Sequence, residues 1–251
     1  MELISSSRNP KVLSWRSLKE KKGRDAQRAF LVEGSKLVGE ALSSSFTVEA
    51  LLIREDFVLP FTVDPALPAY RLSESVFNSL SDTRTPQGIA AVLRQDVRPL
   101  SGNLLLALDG IQDPGNMGTL IRTADAAGFS GILLSSDCVD IFSPKVIRAT
   151  MGSVFRMGFS FPPSLARELA SLRDSGFSVV SSQLDGQPFF GRSPLRPPLV
   201  LIVGNEGNGI SDEVKSVATH CYRLPMPGGA ESLNAAVAAG IMMYDILREN
   251  M

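Results

Sequence analysis

Residues 108–129, LDGIQDPGNMGTLIRTADAAGF, decide the fold class of this chain. The apolar run NLLLALD (103–109) overlaps their start and predicts a buried strand, while the residues after the turn have helical character. The turn itself is rich in Gly, Pro, Asn and Asp, the residues that favour turns. A strand followed by such a turn and a helix is how α/β proteins build ligand sites at the carboxyl ends of strands. Asn116 and Arg122 stand on this helix, so the turn is a candidate ligand site.

Strand and helix patterns alternate through the region that follows, and this alternation predicts a mainly parallel sheet covered by helices. The predicted strands are 104–108, 131–135, 177–181 and 199–203, and the predicted helices are 116–127, 144–150, 164–175, 211–217 and 232–248. The fold class is therefore α/β.

The residues before this region predict a smaller α/β unit. Helices are expected at 9–22, 35–43 and 73–80, and strands at 28–34, 48–55 and 88–95. The polar segment QDVRPLSGN (95–103) contains Pro and Gly and is the best linker candidate. We therefore expect two domains, 1–97 and 98–251.

The composition excludes several classes of protein. Of the 251 residues, 44% are hydrophobic and 20% are charged, as in an ordinary globular protein. Two cysteines, Cys138 and Cys221, and a single histidine, His220, leave no ligand set for a zinc cluster, so we expect no metal site. The longest near-apolar stretch, 233–244, is too short to span a bilayer, and the start MELISSSRNP has no apolar secretory core. We expect a cytoplasmic protein without a membrane segment.

The formal net charge of −1 hides a local basic run. Residues 8–36 contain nine basic and three acidic side chains. Such a run is either an electrostatic footprint for nucleic acid or an ordinary solvated helix face, and the sequence leaves both interpretations open. Its candidate RNA contacts are Lys19, Lys21 and Lys22. Trp15 lies among apolar residues of the same predicted helix and is predicted to be a packing anchor.

Neither glycine cluster of the second region matches a loop that binds nucleotide phosphates. DPGNMG (113–118) lacks the G-x-G-x-x-G spacing of dinucleotide-binding turns. VGNEGNGIS (203–211) has the glycine spacing of a P-loop, but Ile210 stands where the phosphate-binding lysine belongs. We therefore exclude dinucleotide and nucleoside-triphosphate chemistry.

The segment RLPMPGGAESLNAAVAAGIMMYDILRE (223–249) predicts a short strand, a Pro/Gly loop and a helix that Ser232 could cap. The helix is rich in Ala and Gly, which allow another backbone to approach closely. Its larger apolar residues recur at helical spacing, and they are Leu233, Val237, Ile241, Tyr244 and Leu247. This stripe fits a core helix, and the small residues also fit a helix–helix interface.

Three motifs in this order resemble those of the SpoU (TrmH-type) RNA 2′-O-ribose methyltransferases of the SPOUT superfamily. They are Asn116-x-Gly118-x-x-x-Arg122, Gly204-x-Glu206-x-x-Gly209, and LPMPGGAESLN ending at Asn234. Together they span most of residues 104–249. The stretches FLVEGSKLVGEAL (30–42) and TPQGIAAV (85–92) also resemble the small α/β substrate-binding domain that often precedes such a domain.

The resemblance implies a trefoil-knotted methyltransferase domain at 98–251, with the chain after about residue 200 threaded through an earlier loop, and a small RNA substrate-binding domain at 1–97. It implies S-adenosylmethionine as the cofactor, a homodimer and no metal. The implied cofactor-binding residues are Gly204, Leu224, Met226, Ser232 and Leu233. The implied catalytic residues are Arg122, Asn116, Glu206 and Asn234. We expect Arg122 to hold an RNA phosphate and the developing alkoxide rather than to act as a base.

The activity implied by the resemblance is methyl transfer to a ribose 2′-hydroxyl of RNA, with ribosomal RNA favoured over transfer RNA by the domain plan alone. Further candidate RNA contacts are Lys145, Arg148 and Ser153, within DIFSPKVIRATMGSVFRM (140–157). Phosphate contacts position an RNA but do not identify it. A transfer-RNA methyltransferase and a non-catalytic RNA-binding ribosome assembly factor remain alternatives, and the intact catalytic motifs argue against the second.

Overall fold

The computed structural model of the chain describes residues 2–251, with the backbone alone at Glu2. Residues 2–97 form β1 (Glu2–Ile4), α1 (Pro10–Ser17), α2 (Lys21–Gln27), β2 (Ala29–Glu33), α3 (Ser35–Leu42), β3 (Val48–Arg54), β4 (Ala69–Leu72), α4 (Glu74–Leu80) and β5 (Ile89–Arg94). Residues 98–251 form β6 (Leu104–Asp109), α5 (Pro114–Ala126), β7 (Gly131–Leu134), α6 (Pro144–Thr150), a 3-10 turn (Ser153–Phe155), β8 (Gly158–Ser160), α7 (Leu165–Asp174), β9 (Ser178–Pro188), β10 (Leu199–Gly204), α8 (Asp212–Lys215), β11 (His220–Arg223) and α9 (Ala235–Asn250).

The elements group into two compact units. The first holds the residues up to Val97 together with Asp140–Arg156, and the second holds Arg98–Val139 and the residues from Met157 onward. The segment Asp140–Arg156, which the predicted second domain includes, thus belongs to the first unit. Three ion pairs hold it there, Arg24–Asp140 at 2.7 Å, Arg148–Asp82 at 2.9 Å and Arg156–Glu40 at 2.9 Å.

The first unit is built on a mixed five-stranded sheet with the order β1-β4-β3-β5-β2. β3 pairs in parallel with β4 and antiparallel with β5, which in turn pairs antiparallel with β2. Apolar residues of α1 and α4 pack on this sheet in one hydrophobic core. Trp15 is 8% exposed in that core, and its ring lies 5.2 Å from the ring of Tyr70. The prediction that Trp15 is a packing anchor is confirmed.

The second unit is built on a six-stranded sheet with the order β11-β9-β10-β6-β7-β8, in which every pairing is parallel. The predicted α/β class with a mainly parallel sheet is confirmed. The two central strands β6 and β10 end together, because Asp109 is aligned with Gly204. Their carboxyl ends bring the first and second sequence motifs to one edge of the sheet. The trefoil threading stays a prediction.

Several elements differ from the predicted ones. The single helix expected at 9–22 is wrong, because the chain turns after Ser17 and a new helix starts at Lys21. The turn is tight: a Cβ on Gly23 would stand 2.0 Å from the carbonyl oxygen of Ser17, so only glycine fits there. β9 runs to Pro188, well beyond the predicted end at 181, because β11 pairs along its extension.

The C-terminal helix α9 turns two different faces to its surroundings. Its buried residues are Ala236, Ala239, Met242, Met243 and Ile246. The small-residue face packs against α5. A Cβ built on Gly240 would lie 3.6 Å from the methyl carbon of Thr123, so there is little room between the two helices. On the other face Val237, Ile241 and Tyr244 are 52%, 39% and 50% exposed. Most of the predicted apolar stripe therefore lies on the surface of the unit, and the core contact is made by its small neighbours and methionines.

No helix within residues 2–251 is long and apolar enough to cross a membrane.

Candidate active site

The turn after β6 is shaped by its own side chains. Gly110 has a φ of +69°, a conformation that glycine adopts readily. Asp113 caps α5 by accepting a hydrogen bond from the backbone N–H of Asn116 at 2.8 Å, and Pro114 occupies the first helical position. The turn and the cap fix where the helix starts. Asn116 is thereby held in the first turn of α5, and Arg122 lies further along the same helix.

The three sequence motifs meet through one hydrogen-bonded chain of side chains. The Asn116 amide nitrogen donates to Glu206 Oε1 at 2.8 Å, and the Asn116 amide oxygen accepts from Asn234 Nδ2 at 2.9 Å. Asn234 in turn caps α9, because its Oδ1 accepts from the backbone N–H groups of Ala236 and Val237. We call Asn116, Glu206 and Asn234 the polar frame. Its members come from the first turn of α5, the loop after β10 and the N-cap position of α9.

The loop after β10 is folded so tightly that two of its glycines, Gly204 and Gly209, are required. A Cβ on Gly204 would stand 2.3 Å from the carbonyl carbon of Gly209, and Gly209 itself has a φ of +69°. Asn205 fixes the inside of the loop, since its Oδ1 accepts from the N–H groups of Gly207 and Asn208 at 2.9 Å each. The loop is therefore a rigid wall whose backbone is open to a ligand.

This wall belongs to a cleft of about 540 Å³ in the second unit. All five predicted cofactor-binding residues line it, and they are Gly204, Leu224, Met226, Ser232 and Leu233. Two members of the polar frame, Glu206 and Asn234, line it as well. Its volume is typical of a small-molecule site, and its lining mixes apolar side chains with polar and charged ones.

Arg122 stands apart from this cleft. It is exposed and is not among the residues that line the cleft. Across residues 2–251, no hydrogen bond or ion pair to another side chain engages its guanidinium. An exposed guanidinium without a protein partner is available to an external anion. Asn116 and Arg122 are thus positioned by the same helix but face different surroundings.

Two residues that the sequence analysis missed, Asp109 and Asn205, hold the loop after β10 in place. The buried carboxylate of Asp109 accepts a hydrogen bond from the backbone N–H of Ser211 at 2.7 Å. The Asn205 amide donates to the carbonyl oxygen of Gly110 at 2.7 Å. A carboxylate directly after a buried apolar strand was a visible sign of a role for Asp109. The cleft residues Asp185 and Lys215 left no such sign in the sequence.

The predicted RNA contacts are all found in the first unit, where several of them have internal partners. Lys145 is exposed on α6, and Arg148 forms its ion pair with Asp82. Ser153 is only 2% exposed and its hydroxyl accepts from Arg156 at 3.2 Å, so burial removes it from the surface that could meet RNA.

The predicted basic helix face is also partly occupied. Lys19 donates to the carbonyl oxygen of Ser81 at 2.7 Å, and Lys21 pairs with Asp25 at 2.8 Å. Lys22 is exposed. RNA contact by Lys19, Lys21 and Lys22 stays a prediction.

Neither cysteine adds a reactive group to the site. Burial raises the pKa of the Cys138 thiol above its ordinary value, although a hydrogen bond with Ser135 acts in the opposite direction. Cys138 is therefore a protonated thiol at neutral pH and a weak nucleophile. Cys221 is exposed on the edge strand β11. Within the described residues, no group of three or more His, Cys, Asp or Glu side chains could hold a metal ion.

Comparison with known proteins identifies the family. Residues 103–244 match the SpoU rRNA Methylase family, and residues 9–91 match the MRM3-like substrate binding domain. The chain is 37% identical to the 23S rRNA (guanosine(2553)-2′-O)-methyltransferase RlmP of Bacillus subtilis, over 98% of this chain and 99% of that protein.

Solved structures agree with this match. The S-adenosylmethionine-bound rRNA methyltransferase of Sinorhizobium meliloti is 34% identical, with a TM-score of 0.88 over 100% of this chain and 98% of that one. The SpoU methyltransferase AviRb of Streptomyces viridochromogenes, in complex with the same cofactor, is 25% identical with a TM-score of 0.84 over 96% of this chain and 99% of that one.

The chain belongs to the SpoU rRNA methylase family. The expected enzyme class is confirmed: an S-adenosylmethionine-dependent RNA 2′-O-methyltransferase.

Proposed function

We propose that this chain methylates a ribose 2′-hydroxyl of ribosomal RNA, with the polar frame and Arg122 as its catalytic residues. The observation that carries the proposal is the hydrogen-bonded frame itself. Asn116 bonds to both Glu206 and Asn234, and the last two line the cleft. Residues from three distant motifs have no other reason to meet at the edge of one ligand cleft.

The cleft fits S-adenosylmethionine. Leu224, Met226 and Leu233 supply apolar surface for adenine, and Gly204 allows the loop after β10 to fold back on itself, since a Cβ there would collide with the backbone of Gly209. The ionisable side chains of the lining are Glu206, Asp185 and Lys215, an excess of one negative charge. This excess complements a cofactor that carries one net positive charge. When bound, the cofactor supplies an electrophilic sulfonium methyl.

The protein must bring a ribose hydroxyl to that methyl and stabilise the charge that develops on its oxygen. Arg122 is the residue with a free cationic group on the same helix as Asn116. A guanidinium is a poor base because it keeps its proton throughout the physiological pH range. Its planar fork suits an RNA phosphate and a nascent alkoxide. Arg122 therefore clamps the substrate, and the hydroxyl proton leaves to water.

Asn116, Glu206 and Asn234 act as the positioning frame. Each amide of the frame uses its donor and its acceptor, so the three side chains fix one another's orientation. Asn234 also ties the frame to the N-terminus of α9, where loss of a cap typically costs about 1 kcal/mol. The frame keeps the loop after β10 and the start of α5 in a fixed relative position while the substrate binds.

The active form is a homodimer that uses the exposed face of α9. Val237, Ile241 and Tyr244 form an apolar patch on a helix that already packs in the unit through its other face. Removing one such aliphatic side chain from water contributes about 1.5–3 kcal/mol. A second copy of this patch, related by a two-fold axis, covers it. The enzyme works in the cytoplasm without metal or membrane.

The first unit selects the RNA, with Lys145 and Arg148 as candidate contacts. The Bacillus subtilis relative is named for guanosine 2553 of 23S ribosomal RNA, so the corresponding nucleotide is the first substrate to test. Purified protein is incubated with labelled S-adenosylmethionine and, separately, with unmodified large-subunit ribosomal RNA and with transfer RNA.

Label in ribosomal RNA alone supports the proposal. Label in transfer RNA alone identifies the transfer-RNA methyltransferase. Binding of ribosomal RNA without any methyl transfer, by protein that still binds the cofactor, identifies an assembly factor.

A further inference from the structure

Two loops of the first unit touch and form one surface. Glu33 accepts hydrogen bonds from the hydroxyls of Ser81 and Thr83, at 2.8 and 2.9 Å. Gln87 Oε1 accepts from the backbone N–H of Ser35 at 3.1 Å. We call residues 33–36 and 81–87 the loop-pair surface. It joins the two N-terminal stretches that stood out in the sequence, VEGSK and TPQG.

Glycines make this close approach possible. Gly34 has a φ of +99°, and a Cβ there would stand 2.9 Å from Gln87 Oε1. Gly88, at the end of the second loop, has a φ of +88°. Other residues rarely adopt these conformations. The two loops are therefore held in a fixed arrangement, as a recognition surface requires.

The charges of the loop-pair surface are unevenly satisfied. Its carboxylates have internal partners, since Glu33 bonds to the two hydroxyls and Asp82 pairs with Arg148 at 2.9 Å. Its cations, Lys36 and Arg84, are exposed, and over residues 2–251 neither side chain has a hydrogen bond or an ion pair. The surface is therefore locally positive.

Lys36 is the last cation of the basic run at residues 8–36, but other cations of that run are held by internal partners. Arg24 is buried in its ion pair with Asp140, Lys19 bonds to a backbone carbonyl, and Lys21 pairs with Asp25. Side chains with internal partners lose those contacts when they turn to a phosphate, whereas Lys36 and Arg84 lose none. Within residues 2–251, Lys22 and Arg28 are also exposed without an internal partner, but both belong to α2 and its end. Lys36 and Arg84 stand on two loops that touch, and this pairing of free cations favours the loop-pair surface as the place where counterions are released.

We propose that the loop-pair surface binds the RNA backbone, with Lys36 and Arg84 contacting phosphates. Lys145 extends the surface, because its neighbour Pro144 lines a small cavity together with Glu33 and Asp82. This inference rests on the proposed function only in taking RNA as the substrate. It names the part of the first unit that RNA meets.

The test is the salt dependence of RNA binding. The probe is an unmodified transcript of 23S ribosomal RNA, and the variant is Lys36→Glu/Arg84→Glu in the full chain. Two lost phosphate contacts should lower the slope of log K against log salt by about two and weaken binding about tenfold or more near 0.1 M salt. The affinity for S-adenosylmethionine, measured by calorimetry, should not change.

The matched control is Arg8→Glu/Arg28→Glu, which changes the charge of the same unit by the same amount. Arg8 precedes α1 and Arg28 follows α2, and within residues 2–251 both side chains are exposed without a hydrogen bond or an ion pair. The control should lose less than threefold in affinity and keep the wild-type slope. Should reversal at Lys36 and Arg84 destabilise the fold in a melting curve, Lys36→Gln and Arg84→Gln replace it, each expected to lower the slope by about one.

An unchanged slope for Lys36→Glu/Arg84→Glu, or an equal loss in the control, overturns the proposal. Failure of the proposed function is distinguishable, because absence of methyl transfer by the wild type leaves the salt slope measurable. If the wild type transfers methyl groups but Lys36→Glu/Arg84→Glu keeps the wild-type salt slope, the proposal for the loop-pair surface fails and the proposed function stands.

Discussion

The Asn116 amide nitrogen donates a hydrogen bond to Glu206 Oε1 at 2.8 Å, joining two motifs that lie 90 residues apart in the sequence. The oxygen of the same amide accepts from Asn234 at 2.9 Å. One side chain therefore acts as donor and acceptor at once, a combination that a carboxylate cannot supply. The frame depends on an amide at this position.

Replacing Asn116 by Asp should break the hydrogen bond between residue 116 and Glu206 without changing the volume of the side chain. The variant removes the donor to Glu206 and sets two carboxylates against each other, so we expect kcat/KM to fall about tenfold to a hundredfold. Steady-state kinetics with ribosomal RNA measures this loss. Asn103→Asp, at an exposed position of the same unit, is the matched control and should stay near wild type. Activity within twofold of wild type in Asn116→Asp contradicts the role of the frame.

Arg122 should matter for its shape as well as its charge. Arg122→Lys keeps the cation but loses the planar fork, so turnover should fall strongly while folding and cofactor affinity stay near wild type. An interaction formed mainly in the transition state lowers turnover more than RNA binding. Single-turnover kinetics beside a melting curve separates this role from a structural one. A stable Arg122→Lys enzyme with normal turnover would remove Arg122 from the catalytic residues.

Gly204 should be essential for the tight fold of the loop after β10. In Gly204→Ala the new Cβ would stand 2.3 Å from backbone of Gly209, so the loop must open and the affinity for S-adenosylmethionine should fall at least tenfold. Gly207→Ala is the matched control in the same loop, because there the nearest atom is Asn205 Oδ1 at 3.6 Å. If calorimetry finds equal affinities of the two variants for S-adenosylmethionine, binding does not require the tight fold of this loop.

The dimer interface should respond to a charge on the exposed face of α9. Ile241→Glu places a carboxylate in the patch that a second copy would cover, so the protein should become monomeric at micromolar concentration and lose most activity. Val58→Glu, at a residue 83% exposed in the first unit, is the control. Size-exclusion chromatography with light scattering gives the mass. If Ile241→Glu is still a dimer, the interface does not use the exposed face of α9.

Ala239, which the small-residue pattern alone would suggest as an interface probe, is fully buried within its own chain. A large side chain there would disrupt the packing of the unit itself and would not report on the dimer.

Much of the second unit follows from local sequence. The strand before Gly110 was predictable because its apolar run and the turn residues after it agree, whereas the helix predicted from residue 116 in fact begins at Pro114, behind the cap at Asp113. The sequence motifs singled out Asn116, Glu206 and Asn234, and the structure brings these side chains together, but their hydrogen bonds were not foreseeable. They join residues that no local pattern connects, and only the parallel pairing of β6 with β10 brings the first two motifs together.

The first unit was harder to predict. The membership of Asp140–Arg156 depends on distant ion pairs such as Arg156 with Glu40, which leave no periodic pattern. The break between α1 and α2 depends on how closely Gly23 approaches Ser17. The charge run predicted a basic face, but the structure gives several of those cations internal partners such as Asp25 and Asp140. Charge counts describe a segment, whereas binding depends on which charges remain free.

The most direct measurement of the central claim is the position of the transferred methyl group. Unmodified 23S ribosomal RNA is incubated with the enzyme and S-adenosylmethionine and then cleaved by alkali, which cannot break the linkage after a 2′-O-methylated ribose. The account predicts a single gap in the cleavage ladder with wild-type protein and its loss with Arg122→Lys. Methyl transfer to a base, with an uninterrupted ladder, would contradict it.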